Sequence, residues 1–240
     1  IIVIDGLDDE SFRNDAAPKI KAYIQPYWDV PKQSRPNSEY WFHGPKYVLV
    51  DEIYQQAFRT RFSMNVKNIL ITFGGSDPQN NTIKVLKGIL GISNNLNIRV
   101  IIGPSFSSNH VDLIKKISSS YSVELVISPQ NLVKHYDWAD LGICGSGTSR
   151  YEAAATGLPI IFTSICRGHD RLSDWFSAFG TSYYIGPDVS LTPLDWANTV
   201  MTLQTSFDIY NRMVSSIAKM KQIDVGGRSL ARELQEVFKK

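Results

Sequence analysis

Residues 138–162 read WADLGICGSGTSRYEAAATGLPIIF, and this stretch decides the fold class. An apolar run at 140–147 (DLGICGSG) closes in glycines. A helical pattern over 149–156 follows and stops at Gly157-Leu158-Pro159, where a glycine terminator is followed by a proline. The next residues, PIIFTSI at 159–165, are again short and apolar. Strand, glycine turn, helix and strand in this order form the repeating unit of a parallel sheet with crossover helices.

The same alternation extends in both directions. Upstream, NILITFGG (68–75) reads as a strand, and SDPQNNTIKVLKGIL (76–90) as an amphipathic helix. That helix has Ser76 and Asp77 as cap candidates, Pro78 at its first position, and Ile83, Leu86 and Leu90 on one face. Strands at 98–103 and 123–128 alternate with helices at 111–120 and 132–139. Downstream come a helix at 170–180, a strand at 181–186 and a mostly helical stretch from 192 to 240. Residues 63–240 are therefore expected to form a Rossmann-type α/β domain, a parallel sheet with helices on both faces.

Residues 1–62 differ in character. They hold one strand candidate at 1–4, an irregular region containing Pro18, Pro26, Pro31 and Pro36, and a strand-like YVLV at 47–50. The segment is too short for a core of its own, so the expectation is the tail of a preceding domain plus a linker. The opening IIVIDG is strand-like with no turn or cap before it, which reads as the middle of a larger protein.

Charge and composition exclude several classes. A formal net charge of +2, from 25 basic and 23 acidic residues, gives no electrostatic footprint for a nucleic-acid backbone. No apolar run approaches the roughly 18 residues of a membrane span, and the first residues lack the blocks of a signal peptide, so a cytoplasmic location is expected. Cys144 and Cys166 are too few for a disulfide framework and are expected to be buried thiols.

Two turns carry candidate chemistry. In Thr72-Phe73-Gly74-Gly75-Ser76-Asp77 a strand runs through two glycines into a helix start, so backbone N–H groups can approach an anion, although tight β-to-α connections have the same form. An Asp77 carboxylate there would repel a diphosphate unless it capped the helix and pointed away. In Cys144-Gly145-Ser146-Gly147-Thr148-Ser149-Arg150-Tyr151-Glu152, glycines flank a hydroxyl and two more hydroxyls precede a helix, which suits an anion better. Ser149 and Glu152 also have capping-box spacing, which leaves Glu152 as either a cap or a ligand-binding carboxylate. Arg150 could pair with a phosphate, but an Arg on a helix is more often solvated, and the surface is where it is expected.

Of His43, His110, His135 and His169, only His169, beside Asp170 and just past a strand end, lies where open α/β sheets bind ligands. His135 is expected to be a surface or packing residue. Asp5, Asp8 and Asp9 cluster after the first strand, as acidic turns commonly do. The sequence holds no nucleophile elbow, metal-ligand spacing or dinucleotide fingerprint, and nothing in it calls for a metal or cofactor.

The 138–162 stretch resembles the donor-binding motif of the lipid II-forming N-acetylglucosaminyltransferase and its relatives, two-domain GT-B proteins whose C-terminal domain holds a UDP-sugar. The chain is more similar still to the UDP-sugar hydrolases of pseudaminic and legionaminic acid synthesis and the related spore-coat polysaccharide proteins. The resemblance rests on GPKY at 44–47, TFGGSDP at 72–78, the glycine-rich turn with its glutamate, and Ile223-Asp224-Val225-Gly226-Gly227-Arg228, in family order. It implies the C-terminal half of a GT-B protein. Glu152 would bind the ribose hydroxyls, Gly145 to Ser149 the diphosphate, Gly74, Gly75 and Ser76 the facing turn, and Ile127 and Ser128 the uracil.

The resemblance further implies cleavage of a UDP-sugar, of the UDP-N-acetylhexosamine class, at the anomeric carbon in bacterial surface-glycan synthesis. His169 and Asp170 replace an Asn-Gln pair that contacts sugar or phosphate in the family. The family's catalytic histidine lies in a glycine-rich loop that these 240 residues do not contain. His169 is then the one catalytic candidate present, and a catalytically inert nucleotide-sugar-binding or interaction module is the alternative. A UDP-sugar epimerase of similar architecture is a third possibility, but its acidic catalytic pattern is missing from the sequence.

Overall fold

The computed structural model describes residues 1–6, 10–13, 18–26, 35–63, 65–92, 95–178, 180–220 and 227–239. Strands β4 (Asn68–Thr72), β5 (Asn97–Ile102), β6 (Val123–Ile127), β7 (Leu141–Gly145), β8 (Ile160–Ser164) and β9 (Ser182–Pro187) form one sheet in the order β6-β5-β4-β7-β8-β9. Every pairing is parallel. The chain winds outward from β4 to β6, returns to the centre at β7 and winds outward the other way. This is a doubly wound topology, and the parallel sheet with helices on both faces is the fold class expected from the sequence.

Alternation along each strand feeds two cores, because successive side chains point to opposite faces. Ile69, Ile71, Leu141, Ile143 and Ile161 enter one core, with Val85 and Leu86 of α2 (Asn81–Ile89) and Trp196 and Val200 of α7 (Pro193–Thr205). Leu70, Cys144, Ile160 and Phe162 enter the other, with Tyr136 of α4 (Val133–Trp138), Ala153 to Ala155 of α5 (Thr148–Thr156) and Phe176 of α6 (Arg167–Ser177). Burial on both faces is why these strands read as unbroken apolar runs. Further helices are α3 (Ser108–Ser118), α8 (Phe207–Met220) and α9 (Gly227–Phe238).

Helix α2 starts later than the sequence implies. Asp77 has a left-handed φ of 41°, and its buried carboxylate accepts the amide protons of Asn81 and Thr82, each at 2.8 Å. Pro78 therefore precedes the helix instead of opening it, and Asp77 caps α2 from outside. Its charge is turned away from the glycines before it.

Residues 1–43 contribute a second, three-stranded parallel sheet, β1 (Ile2–Ile4), β2 (Ile20–Gln25) and β3 (Ser38–His43), in the order β1-β2-β3. Pro18 and Pro26 flank β2 and Pro36 precedes β3, positions where a missing N–H breaks no ladder bond. Ala22, Ile24, Phe42 and Tyr47 pack with Leu230 and Val237 of α9, so the last helix returns to cover the first strands. The expected strand at 47–50 does not form. Val48 and Val50 are buried in the second core without a ladder partner. Helix α1 (Glu52–Gln56), capped by Asp51, leads to Arg59, whose guanidinium donates to the carbonyls of Tyr136 and Ala139 at the end of α4. That cation satisfies carbonyls a helix C-terminus leaves open.

No described helix is long and apolar enough to cross a membrane. Asp8, Asp9, Pro31 and residues 223–226 lie outside the described residues.

Gly88 marks the closest approach of α2 to α7, since a Cβ there would lie 2.1 Å from the Pro193 carbonyl oxygen. Gly88→Ala gains helix propensity but must displace backbone, and overpacking of this kind costs roughly 1–3 kcal/mol. The expected outcome is a lower midpoint of unfolding in denaturant. An unchanged or higher midpoint would show that the two helices separate freely.

Candidate functional site

The switch of winding direction leaves β4 and β7 side by side, with Thr72 paired to Cys144 at their C-terminal ends. The two glycine turns are thereby neighbours at the crevice where doubly wound sheets bind ligands. A cavity of about 240 Å³ opens there. Thr72, Gly74 and Gly75 line one side, Ser149 and Glu152 of α5 another, and Ser128 and Tyr54 of α1 close it.

Gly103, at the end of β5, sets the position of the first turn. A Cβ on it would stand 2.3 and 2.4 Å from the carbonyl oxygens of Gly74 and Gly75, and Ser105 donates its N–H to Gly75 at 2.8 Å. Only a hydrogen fits between these backbones.

The capping box expected of Ser149 and Glu152 is not formed. Helix α5 begins at Thr148 with Gly147 as its cap residue and no side-chain cap bond, so Ser149 already lies inside the helix. The first N–H groups of α5 are left to whatever occupies the crevice. Glu152, half-buried, accepts a hydrogen bond from Tyr136 Oη at 3.0 Å, and Tyr54 lines the same cavity. Burial pushes its pKa up, and the two phenols act in the opposite direction.

On the other side of the turn lies a second cavity of about 350 Å³, lined by Ser146, Gly147, Thr148, Arg150 and His169, with Gly6 and Pro26 from the small sheet. A Cβ on Gly147 would meet nothing within 4 Å. Ser146 Oγ is 2.7 Å from His169 Nδ1 and accepts the Ile165 N–H at 3.3 Å. We assign the hydroxyl proton to the bond with Nδ1, which leaves Nε2 as the protonated ring nitrogen. Burial, followed by the Arg150 charge, lowers the His169 pKa, so the ring is neutral near pH 7.

Of the residues singled out in the sequence, Gly74, Gly75, Ser128, Ser149 and Glu152 meet at the first cavity, and Ser146, Gly147, Thr148 and His169 at the second. Four lie elsewhere. Ser76 is exposed outside both, and the Ile127 side chain is 65% exposed, leaving its neighbour Ser128, at φ 43°, facing the crevice. Gly145 is buried where a Cβ would press on Ile165 at 3.0 Å, so it serves packing. Asp170 accepts from Ser164 Oγ, which is 2.8 Å from Tyr184 Oη, and lines neither cavity.

Arg150, expected on the surface, is only 2% exposed. Cys144 is buried, its thiol pKa pushed up to about 12 by burial, whereas Cys166 is exposed, contrary to expectation. His135 and His110 are buried, the latter 3.6 Å from Asp77, and His43 is exposed. Asp5 is buried and accepts from Tyr23 Oη at 2.8 Å, a packing role. Tyr54, Tyr136 and Gly103 were not evident beforehand. Gly103 ends an apolar run as Gly74 does, and that parallel is the signal that finds it.

The fold, with the crevice at its switch point, is an α/β fold of the GT-B kind. It aligns with MurG of Acinetobacter baumannii at a TM-score of 0.59 and 16% identity, over 90% of this chain and 66% of that one. TarM aligns at 0.62 and 14% identity, over 100% and 50%. UDP-GlcNAc 2-epimerase of Neisseria meningitidis, solved bound to UDP-GlcNAc, aligns at 0.50 and 18% identity, over 77% and 47%. In sequence, the chain is 33% identical over 131 residues to an uncharacterized protein of Methanocaldococcus jannaschii, covering 52% of this chain and 27% of that protein. It is 23% identical over 148 residues to the spore coat polysaccharide biosynthesis protein SpsG of Bacillus subtilis, covering 60% and 43%. The matches thus span less than half the length of either curated relative. No family model matches the chain.

The raised pKa of Glu152 has a sign that stability can test. A carboxyl whose folded pKa lies above its unfolded value of about 4.3 lowers stability once ionised, and the penalty vanishes below the unfolded pKa. Glu152→Gln, which can still accept from Tyr136, is expected to raise the unfolding midpoint at pH 7, with the gain disappearing by about pH 4. A lower midpoint at pH 7 would mean that the ionised form is the favoured one.

Proposed function

We propose that this chain is the UDP-sugar-binding part of a nucleotide-sugar hydrolase or glycosyltransferase of surface-glycan synthesis, acting on a UDP-N-acetylhexosamine. The observation that carries the proposal is the half-buried carboxylate of Glu152, held by the Tyr136 phenol in the same cavity as Tyr54, Gly74 and Gly75. A carboxylate kept there despite the cost of burial, and unused by the helix cap, is suited to accept the two hydroxyls of a ribose. The uracil would lie toward Ser128, and the diphosphate across the uncapped start of α5.

The chemistry assigned to the whole protein is displacement at the anomeric carbon. Water or an acceptor hydroxyl attacks that carbon and loses its proton to a base. The bond from the carbon to the β-phosphate oxygen breaks, and its electron pair leaves with UDP. The α5 N–H groups stabilise the charge that builds on the departing phosphate. His169 Nε2–H, a neutral donor, can hydrogen-bond the sugar or that phosphate. With Nδ1 occupied by Ser146, it is not set to take a proton from water. The water-activating base is accordingly assigned outside the described residues.

Calorimetric titration with UDP is expected to give micromolar to millimolar affinity. Glu152→Ala loses charge-assisted hydrogen bonds and should weaken binding by about 2 kcal/mol, or roughly 30-fold. Gly147→Val extends a side chain into the space beside the turn and should abolish binding. Heats of UDP injection matching those of buffer would sink the proposal.

A further inference from the structure

Arg150 is a cation in an unusual place. It is among the largest fully buried side chains, it lines the second cavity, and among the described residues no carboxylate pairs with it. Its guanidinium donates to Tyr151 Oη at 3.0 Å and reaches Ser173 Oγ only at 3.5 Å, while buried Nε has no partner. The rings of Tyr151, Phe176 and Phe162 stand 4.8, 5.1 and 5.8 Å from it. Aromatic faces offset part of the cost of desolvation, but a guanidinium cannot shed its proton, and buried charges are ordinarily matched by an opposite one. No described acidic residue lines this cavity, and its other polar liners, Ser146, Thr148, Tyr151 and His169, include two free donors, the Thr148 hydroxyl and His169 Nε2–H. The uncapped start of α5 adds partial positive charge on the same side. Among the described residues, nothing supplies the negative charge that would match this cation.

The turn separates the two cavities, so whatever is esterified to the β-phosphate of a nucleotide seated in the first extends into the second. Resting on the UDP-sugar reading above, we propose that the sugar carries a carboxylate and that Arg150 recognises it. The substrate class is then an acidic UDP-sugar, a hexosaminuronic acid type, in place of a neutral hexosamine. Arg150 is a specificity residue here and not a participant in bond cleavage.

The test compares UDP, UDP-N-acetylglucosamine and UDP-N-acetylglucosaminuronic acid by calorimetry on the purified protein. The two sugars differ at C6, hydroxymethyl against carboxylate. The acidic sugar is expected to bind at least about tenfold tighter than the neutral one, the scale of a hydrogen bond to a charged group. That ratio should fall to about one in Arg150→Gln and be partly kept in Arg150→Lys. Equal affinities in the wild type, with UDP bound, would overturn the proposal and leave the nucleotide reading standing. An equal loss of both sugars in Arg150→Gln would overturn it by assigning Arg150 to the diphosphate. Failure to bind UDP would remove the nucleotide reading and this proposal together. The wild-type ratio decides the matter even if a buried variant does not fold.

Discussion

The pairing of β4 with β7 is the constraint from which the site follows. Were the chain to add each strand next to the previous one, the turn after β4 and the turn before α5 would lie far apart, each beneath its own crossover helix. Because the chain returns to the centre, the crossovers leave in opposite directions and the two turns share an uncovered crevice. Parallel strands place all their C-terminal ends on one edge, so Gly103 and Ser128 reach the same place. The apolar alternation of Ile69, Leu70 and Ile71 fixes which face each helix covers. Loop chemistry has only to decorate a crevice that topology has already made.

Around that crevice the chain keeps polar groups where burial is costly, and each is held differently. Asp77 is held by two helix amides, which fixes the start of α2 just beyond Gly75. Glu152 is supported only by phenols, so its carboxylate stays available to a ligand. Arg150 has rings and hydroxyls for company. The gradient runs from a group satisfied within the protein to groups that are not, and the unsatisfied ones line the cavities. Binding groups are commonly left with stability still to gain, and a ligand supplies it.

The doubly wound sheet was legible because its strands are buried on both faces and punctuated by glycine. What failed was governed by contacts between segments distant in sequence. The strands β2 and β3 hide among prolines that mark their ends, and their sheet is completed by Leu230 and Val237 nearly two hundred residues later. YVLV has the apolar content of a strand but no neighbour to pair with. Ser149 and Glu152 have the spacing of a cap, yet α5 starts two residues earlier, with Gly147 as its cap residue, and Glu152 meets Tyr136 instead. Arg150 read as a surface residue because helix position alone does not reveal that Phe162 and Phe176 close over it.

The division of the crevice by one turn also separates two kinds of selectivity. Ser149 and Glu152 face the first cavity, while Gly147, Thr148 and Arg150 face the second, although all five are within six residues. A helix start makes this possible, since consecutive side chains fan out around the axis while their N–H groups point the same way along it. The shared N–H groups would hold the common diphosphate, and the side chains on either flank read what differs. On the proposed reading, changes at 150 or 169 would alter which sugar is accepted without touching the groups assigned to the nucleoside. A single short stretch, 145–152, would serve both purposes because the helix dipole and the helix faces are independent properties of the same turn.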